Sequence, residues 1–294
     1  MTPRLPIHLP NQHLEKLDSD FLYHLGINSK TTNLEKYFGD VKFVCMGGTK
    51  TRMFELAKYL QKVLGLNGEL VDLCEKAHRY ALYKVGPVLC ASHGIGMPSM
   101  SILLHEMIKL VIYAKCKDPI FLRIGTSGGL GIPIGTVVVT KDAYNGYIRN
   151  EHELAILGER VCRPAKFNEE VYTNLLACAE EDDEFATILG NTMATDDFYE
   201  GQGRLDGAIC SHNEEQKMTF LRKLHDHGIR NIEMEATMFS SLTHHIGIKA
   251  GEVCVTLVDR LKGDQVTQSN IPKEVLEQRP LTMAGRFIKK QLNL

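Results

Sequence analysis

The spacing of apolar residues along the chain changes repeatedly between two patterns, which predicts alternating strands and helices. Residues 41–46, VKFVCM, form a short apolar run that ends at two glycines and predicts a strand. Residues 51–66 have apolar side chains at positions 53, 56, 57, 60, 63 and 64, which is helical spacing. Further strands are predicted at ALYKVGPVLCASHG, PIFLRIG, TVVVT, TILGNTMAT, IRNIEME and AGEVCVTLVDR, and further helices at residues 98–114, NEEVYTNLLACAEE, EEQKMTFLRKLHDHG, ATMFSSLTHHIG and LTMAGRFIKKQL.

The order of these elements predicts an α/β fold with a single domain. The Val- and Ile-rich runs are typical of strands covered on both faces, so we expect a three-layer αβα sandwich with a central mixed β-sheet. Residues 1–40 are polar and punctuated by Pro, Asn and Thr, and we interpret them as an N-terminal arm before the domain at 41–294. The polar, turn-rich segment 261–274 is predicted to be a mobile loop.

Composition narrows the possible functions. The 294 residues include 34 basic and 36 acidic side chains, and the net charge of −2 argues against a nucleic-acid binder with a general basic surface. No uncharged apolar run reaches the ~18 residues of a membrane span, and the N-terminus lacks the pattern of a signal peptide. The eight cysteines include no C-x-x-C pair, which favours reduced thiols. We therefore expect a cytoplasmic protein with no nucleic-acid or membrane partner.

A glycine-rich turn, RIGTSGGLG at 123–131, follows the apolar run PIFL. Its glycines match neither the P-loop nor the dinucleotide-binding spacing. Other motifs also stand at the ends of predicted strands, where open α/β sheets bind their ligands. They are Gly47-Gly48 with Arg52, HGIG at 93–96, TDDFYEGQGR at 195–204, EMEA at 233–236 and VDR at 258–260. Arginine side chains here can hold phosphate through paired hydrogen bonds, so we predict a local anion site.

The stretch FYEGQGR combines an aromatic ring, an amide and a guanidinium group. Phe198 can stack on a flat heterocycle, and Gln202 offers both an acceptor and donors, which suits an imide N–H beside a carbonyl. Arg204 offers donors only and suits a second carbonyl, whereas the amino group of cytosine would face those donors. The triplet therefore favours uracil or thymine as the base.

The stretch NIEMEA places two carboxylates, Glu233 and Glu235, on one face of a predicted strand, with Met234 opposite. Such a pair suits a glycosidase acid–base pair, a metal site or a clamp for the ribose hydroxyl groups. The histidines of HDH at 225–227 and HH at 244–245 lack the spacing of a zinc helix, so we predict no metal. That expectation favours the ribose clamp.

Together, FVCMGG with Arg52, HGIGMPS, RIGTSGGLG, GNTMATDDFYEGQGRLDGA and RNIEMEA resemble the nucleoside phosphorylase-I family, and specifically its animal-type, uridine-cleaving members. The resemblance extends from about residue 40 to the C-terminus, with an extension to FLYHLG. It implies reversible phosphorolysis of uridine, with deoxyuridine and thymidine as further candidates, to uracil and ribose 1-phosphate. It implies no cofactor, because inorganic phosphate is a substrate, and it predicts a role in pyrimidine salvage.

The resemblance also implies a role for individual residues. It implies phosphate contacts from Gly48, Arg52, Arg79, Arg123 and Thr126. It implies ribose contacts from His24, Thr126, Met234 and Glu235, with Glu233 as a brace, and uracil contacts from Phe198, Gln202, Arg204, Leu257 and Val258. The catalytic residues would be Arg123, Thr126, Gln202, Arg204 and Glu235. His24 and Arg79 would reach the site of a neighbouring subunit, which implies a homodimer with shared active sites and dimer contacts from the arm.

Two residues depart from the family pattern. Asp259 stands where animal-type members are expected to have asparagine, and purine-cleaving relatives place an aspartate general acid in a comparable segment. Tyr80 stands where bacterial relatives have a glutamate associated with potassium, so no potassium site is expected. A purine nucleoside phosphorylase, a nucleoside hydrolase and a non-catalytic nucleoside-binding protein remain alternatives.

Overall fold

An eight-stranded mixed sheet lies at the centre of the computed structural model, which describes residues 9–266 and 269–294. The strands are β1 (Phe21–Leu22), β2 (Ile27–Asn28), β3 (Phe43–Gly47), β4 (Leu82–Val85), β5 (Val88–Ser92), β6 (Ile120–Gly129), β7 (Val137–Tyr144), β8 (Glu151–Ile156), β9 (Glu159–Pro164), β10 (Thr187–Ala194), β11 (Ile229–Glu233) and β12 (Lys249–Asp259). The helices are α1 (Leu34–Phe38), α2 (Lys50–Val63), α3 (Met97–Tyr113), α4 (Glu169–Leu176), α5 (Glu214–Asp226), α6 (Ala236–His245) and α7 (Lys273–Gln291). Short 3-10 turns occur at Leu14–Lys16, Glu75–Ala77 and Glu200–Gln202.

The strand order in the sheet is β11-β10-β7-β12-β6-β3-β5-β4. Most neighbours are parallel, while β4–β5 and β7–β12 are antiparallel. The far end of β6 also pairs with β11, where Gly129 lies opposite Asn231 and Gly128 opposite Ile232. This extra pairing closes five strands into a ring, and β3, β5 and β4 extend from it as an open sheet.

Alternate side chains of the strands pack against different helix layers, because successive residues of a strand point to opposite faces. In β3, Val44 and Met46 join a core cluster with α1, α3 and α6. Phe43 and Cys45 join a second cluster with α2, α4 and α7. The predicted three-layer α/β architecture with a mixed sheet is therefore confirmed. No described helix is both long enough and apolar enough to cross a membrane.

Several elements differ from the sequence-based expectation. The hairpin of β8 and β9 was not predicted, and ALYKVGPVLCASHG contains two strands, β4 and β5. Helix α7 begins at Lys273 and continues through Pro280, so it starts earlier than predicted and overlaps the end of segment 261–274. The rest of that segment includes Thr267 and Gln268, which lie outside the described residues.

The segment before residue 41 packs against the domain. Leu22 and Leu25 are fully buried in the core cluster that contains α3, and Leu34 and Phe38 of α1 belong to the same cluster. The carboxylate of Glu106 on α3 accepts hydrogen bonds from the backbone N–H groups of His24 and Leu25. The boundary at residue 40 and the role of the arm in dimer contacts stay predictions.

Gly251 of β12 lies against α4, where a Cβ atom would be 2.6 Å from Cγ1 of Val171 and 3.0 Å from Cδ1 of Leu175. We expect Gly251→Ala to lower the free energy of unfolding by ~1–3 kcal/mol, because the added methyl group overpacks this contact. Val171→Ala should relieve the crowding, so the double variant should be less destabilised than the sum of the single variants. Chemical denaturation of the four proteins measures this coupling.

The matched control is Gly146→Ala, because nothing lies within 4 Å of a Cβ at Gly146 and its backbone is not left-handed. It should change the free energy of unfolding by less than about 0.5 kcal/mol. Strictly additive effects of Gly251→Ala and Val171→Ala would show that the close approach of α4 does not constrain this position.

Candidate active site

A cavity of about 270 Å³ opens where β3, β5, β6 and β11 end. It contains almost every residue that the sequence predicted for the site: Gly48, Arg52, Arg123, Thr126, Phe198, Gln202, Arg204, Glu233, Met234, Glu235, Leu257 and Val258. His93 and Lys273 also line it. A larger depression of about 580 Å³, beside β8 and the turn at Glu200–Gln202, contains none of the predicted residues. The predicted site residues thus concentrate in the smaller cavity.

Arg123 of β6 lines this cavity and has the largest number of ionic contacts described there. Its guanidinium group is 3% exposed and contacts three buried carboxylates. Nη2 lies 2.7 Å from Oε2 of Glu233 and also contacts Oε2 of Glu235, and Nη1 lies 2.7 Å from Oε1 of Glu252. β11 supplies Glu233 and β12 supplies Glu252, which is opposite Arg123 in the strand register. The arginine therefore joins three segments of the closed ring.

The carboxylate cluster is electrostatically asymmetric. Burial raises the pKa of Glu233 well above its ordinary value and also raises that of Glu252. Burial acts the same way on Glu235, but Arg123, His93 and the backbone N–H of Gly96 together outweigh it and lower the pKa of Glu235. Burial alone would lower the pKa of Arg123, and the surrounding carboxylates instead raise it well above its ordinary value. Glu235 is thus the carboxylate most strongly held in its ionised form.

Glu233 and Glu235 do converge, but not for the reason that strand alternation suggested. Strand β11 ends at Glu233, and Glu235 occupies the N-cap position of α6 without a side-chain capping bond, so the expectation that both lie on one strand was wrong. Glu233 accepts hydrogen bonds from the backbone N–H groups of Glu235 at 2.7 Å and Ala236 at 2.9 Å. Glu235 accepts one from the N–H of Gly96 at 2.5 Å. Glu233 thus braces the turn that carries Glu235.

The cationic side of the cavity begins at helix α2. Thr49 caps this helix by accepting a hydrogen bond from the N–H of Arg52, which fixes Arg52 in the first turn. The Arg52 side chain is buried, and its Nη2 donates to Oε1 of Glu277 at 2.6 Å. Gly48 lies beside it, and Arg123 and Thr126 line the same cavity. A helix N-terminus with two buried arginines is a favourable environment for an anion.

Another part of the cavity lining carries the aromatic ring of Phe198, the amide of Gln202 and a third guanidinium group, that of Arg204. The guanidinium carbon of Arg204 lies 4.3 Å from the centre of the Phe198 ring. Arg204 Nε donates to Asp206 at 3.0 Å, and its Nη2 donates to the carbonyl of Asp264. Gln202 Oε1 accepts from Nη1 of Arg260 at 3.3 Å, which leaves the Gln202 Nε2 without a partner among the described residues.

Three residues that support this part of the lining were not predicted: Lys217, Arg260 and Asp264. Each is at least nine-tenths buried. Asp264 accepts hydrogen bonds from Lys217 Nζ, the N–H of Leu205 and Arg260 Nε, each at 3.1 Å. The strand-end motif VDR at 258–260 could have indicated Arg260 as a site residue. Asp264 lies in a polar segment that contains no motif.

Two predicted site residues, His24 and Arg79, do not line the cavity. His24 Nδ1 lies 2.7 Å from Oε1 of Glu106, and Arg79 is exposed after the turn at Glu75–Ala77. The neighbouring surface is partly apolar, with Phe21 53% exposed and Tyr23 69% exposed. Within this one chain, the cavity is built without them.

The described residues contain one group of side chains with the geometry of a metal site, and it lies outside this cavity. It consists of Glu151, Glu153 and Cys162 on the β8–β9 hairpin. Glu153 is already paired with Arg160 at 2.5 Å. The absence of a metal or another cofactor stays a prediction.

Comparison with known proteins identifies the class to which this fold and cavity belong. The family model of the phosphorylase superfamily matches residues 42–283, and the chain belongs to this family.

Individual relatives match over nearly the whole chain. The chain is 46% identical to uridine phosphorylase 1 of Mus musculus over 292 residues, covering 97% of this chain and 93% of that protein. It is 40% identical to inactive uridine phosphorylase B of Schistosoma mansoni, covering 95% of each. The crystal structure of Schistosoma mansoni uridine phosphorylase in complex with thymidine matches with a TM-score of 0.94 and 41% identity, covering 98% of this chain and 99% of that one.

Asp264 should make a pH-dependent contribution to stability. Burial alone would raise its pKa, but the Leu205 N–H, Lys217 and Arg260 outweigh burial and lower it. We expect Asp264→Asn to lower the free energy of unfolding by ~1.5–3 kcal/mol at neutral pH, because two buried cations lose their counter-charge. The carboxylate of the wild type stabilises the fold above its unfolded pKa of about 4, and this stabilisation is lost as the pH falls through the lower, folded pKa.

Chemical denaturation of both proteins between neutral pH and pH of about 3 measures the difference, which should shrink as the pH falls. Asp182→Asn serves as the control, because Asp182 is an exposed aspartate. A stability difference that stays constant at every pH would contradict the ionic role of Asp264.

Proposed function

We propose that this protein is a uridine phosphorylase, which cleaves uridine with inorganic phosphate to give uracil and ribose 1-phosphate in pyrimidine salvage. The observation that carries the proposal is one cavity that combines an anion site at Arg52 and Arg123, an ionised carboxylate at Glu235 and the Phe198–Gln202–Arg204 set. Phosphate, ribose and base each find chemically matched groups there. The reaction needs no cofactor, because phosphate itself is the nucleophile.

The donors at the base side select a pyrimidine dione. Gln202 Nε2 is available to donate to a carbonyl oxygen, while its Oε1 can accept from N3–H in addition to its bond with Arg260. Arg204 is fixed by Asp206 and the Asp264 carbonyl and offers only donors. Uracil and thymine present the carbonyl–NH–carbonyl edge that this arrangement fits, so deoxyuridine and thymidine are further candidate substrates. Cytosine would turn an amino group toward Arg204.

The same groups account for catalysis. A phosphate oxygen forms a bond to C1′ as the C1′–N1 bond breaks, and the electron pair of that bond moves onto the uracil. Gln202 and Arg204 stabilise the charge on the uracil oxygens, and uracil then takes a proton from solvent. Arg52, Arg123 and Thr126 orient the phosphate, and Glu235 accepts hydrogen bonds from the ribose hydroxyl groups. Losing one such preorganised donor typically costs about 10²–10³ in rate.

The position of Asp259 argues against a purine-cleaving enzyme with an aspartate general acid. Its carboxylate accepts from the N–H groups of Gly131 at 3.3 Å and Leu261 at 3.1 Å and pairs with Lys262 at 3.0 Å. It does not line the cavity. Asp259 therefore stabilises the loop after β12 and is not placed to protonate a base.

We expect wild-type protein to release uracil from uridine only when phosphate is present. Gln202→Leu should reduce kcat/KM for uridine by about 10³ or more, because the variant leaves the polar edge of the base without partners. Uracil release, followed by absorbance with and without phosphate and with inosine as a competing substrate, measures both effects.

Asp259→Asn is the matched control, since asparagine can accept the same backbone hydrogen bonds, and its activity should remain within about twofold of the wild type. Equal rates without phosphate would favour a hydrolase, and faster cleavage of inosine would favour a purine phosphorylase. Absence of any turnover would favour a non-catalytic nucleoside-binding protein, as the name of the inactive Schistosoma relative illustrates.

We also propose a cytoplasmic homodimer whose two active sites are shared across the interface. All eight cysteines are free thiols, which suits a reducing compartment. His24 and Arg79 stand outside their own cavity, and exposed apolar side chains flank both: Phe21 and Tyr23 near His24, and Val71 and Leu73 before Arg79. Such surfaces favour association, and the basic groups on them would complete the partner's ribose and phosphate sites.

A mixing experiment tests the shared site. Arg79→Ala and Gln202→Leu should each be nearly inactive alone, but one site of a mixed dimer would be intact. After the two variants are unfolded and refolded together, we expect about a quarter of wild-type activity, because about half of the dimers are mixed and each has one intact site.

Mixing Gln202→Leu with Arg204→Leu is the control, because both residues belong to the same cavity and no intact site can form. Recovery in the control, or none in the Arg79→Ala mixture despite confirmed dimers, would contradict the shared site.

A further inference from the structure

His93 is a buried polar side chain that the proposed mechanism does not use. It directly follows β5, lines the cavity and is 1% exposed. Its backbone is held on both sides, because its N–H donates to the carbonyl of Gly47 at 2.8 Å and its carbonyl accepts from Ser99 Oγ at 2.5 Å. Neither ring nitrogen has a hydrogen-bond partner within the described residues. Buried polar groups rarely lack every hydrogen-bond partner, so this ring calls for a bound molecule that faces it from the cavity.

The same cavity contains other buried donors without partners. Nε of Arg52 and Nε of Arg123 have no hydrogen-bond acceptor among the described residues, although both side chains are buried. Both arginines line the cavity together with His93. An anion with several acceptor oxygens would satisfy donors of all three side chains.

The charges around His93 indicate which form of the ring is present. Burial, together with Arg123 and Arg52, lowers its pKa to about 3, although Glu235 and the backbone of Gly94 act in the opposite direction. The ring is therefore neutral at physiological pH and has one N–H donor. A neutral donor adds a hydrogen bond to a bound anion without placing a third buried cation beside Arg52 and Arg123.

We propose that His93 is a phosphate ligand, which donates one ring N–H to an oxygen of the inorganic phosphate held by Arg52 and Arg123. This inference rests on the proposed phosphorolysis and adds a residue to its phosphate subsite. It also explains why the imidazole is kept free of internal partners. A neutral ring that already donated its one N–H to a protein acceptor could not donate it to the substrate.

Calorimetric titration with inorganic phosphate, without any nucleoside, tests the proposal directly. His93→Leu should bind phosphate about 10- to 100-fold more weakly, which is the range expected for losing one hydrogen bond to a charged group. His93→Gln keeps an N–H donor and should recover part of this loss. Affinity for uracil should remain within about twofold of the wild type in both variants.

His152→Leu is the matched control. His152 is another buried histidine with a lowered pKa, but it lies on β8 and does not line this cavity. It should bind phosphate as the wild type does. Unchanged phosphate affinity in His93→Leu, or equal weakening of phosphate and uracil, would overturn the proposal.

Two further measurements keep the test decisive. If His93→Leu fails to fold, NMR of the wild type replaces it. The ring ¹⁵N signals of His93 are assigned by comparison with His93→Gln and should shift when phosphate is added. Unshifted signals would overturn the inference. Uracil release by the wild type is assayed separately. Phosphate binding that depends on His93 without uracil release would refute the proposed reaction and leave the ligand assignment standing.

Discussion

The burial of Arg123 among three carboxylates is the interaction on which the rest of the structure depends. A guanidinium group cannot be taken out of water at this depth without opposite charges around it. Glu233 and Glu235 reach it only because β11 pairs with the end of β6, and Glu252 reaches it because β12 is parallel to β6. The strand pairings that close the ring are therefore also the ones that bring the carboxylates of the anion site to Arg123.

A second cation–carboxylate cluster supports the part of the cavity lined by Gln202 and Arg204 in the same way. Asp264 lies against Arg260 and Lys217, and Arg260 in turn holds Gln202 through both its side-chain oxygen and its carbonyl oxygen. Each cluster fixes donors before a ligand arrives, so the groups that stabilise developing charge need little reorganisation. The two parts of the cavity thus suit different ligand groups, but in both of them buried carboxylates hold buried cations in place.

The sequence predicted those features that depend on local spacing. Apolar periodicity was sufficient for most strands and helices, because it reflects which face of each element is buried. It could not predict that β6 pairs with β11, since that pairing depends on contacts between residues about a hundred positions apart. The β8–β9 hairpin is largely polar, so its strands carry little apolar signal. Asp264 acts through Lys217 of α5, through Arg260 directly after β12 and through the backbone N–H of Leu205, and no local pattern marks it.

The glycines of RIGTSGGLG gain a different meaning from this architecture. A Cβ at Gly125 would lie 2.6 Å from Nη1 of Arg123, and one at Gly128 would lie 2.9 Å from Cγ of Arg260. A side chain at either position would displace one of the two buried arginines. The sequence predicted a turn here, but residues 123–129 belong to strand β6, and their glycines leave room for buried cations. Their effect on the anion is indirect: the glycines make room for Arg123, and Arg123 supplies the charge that phosphate requires.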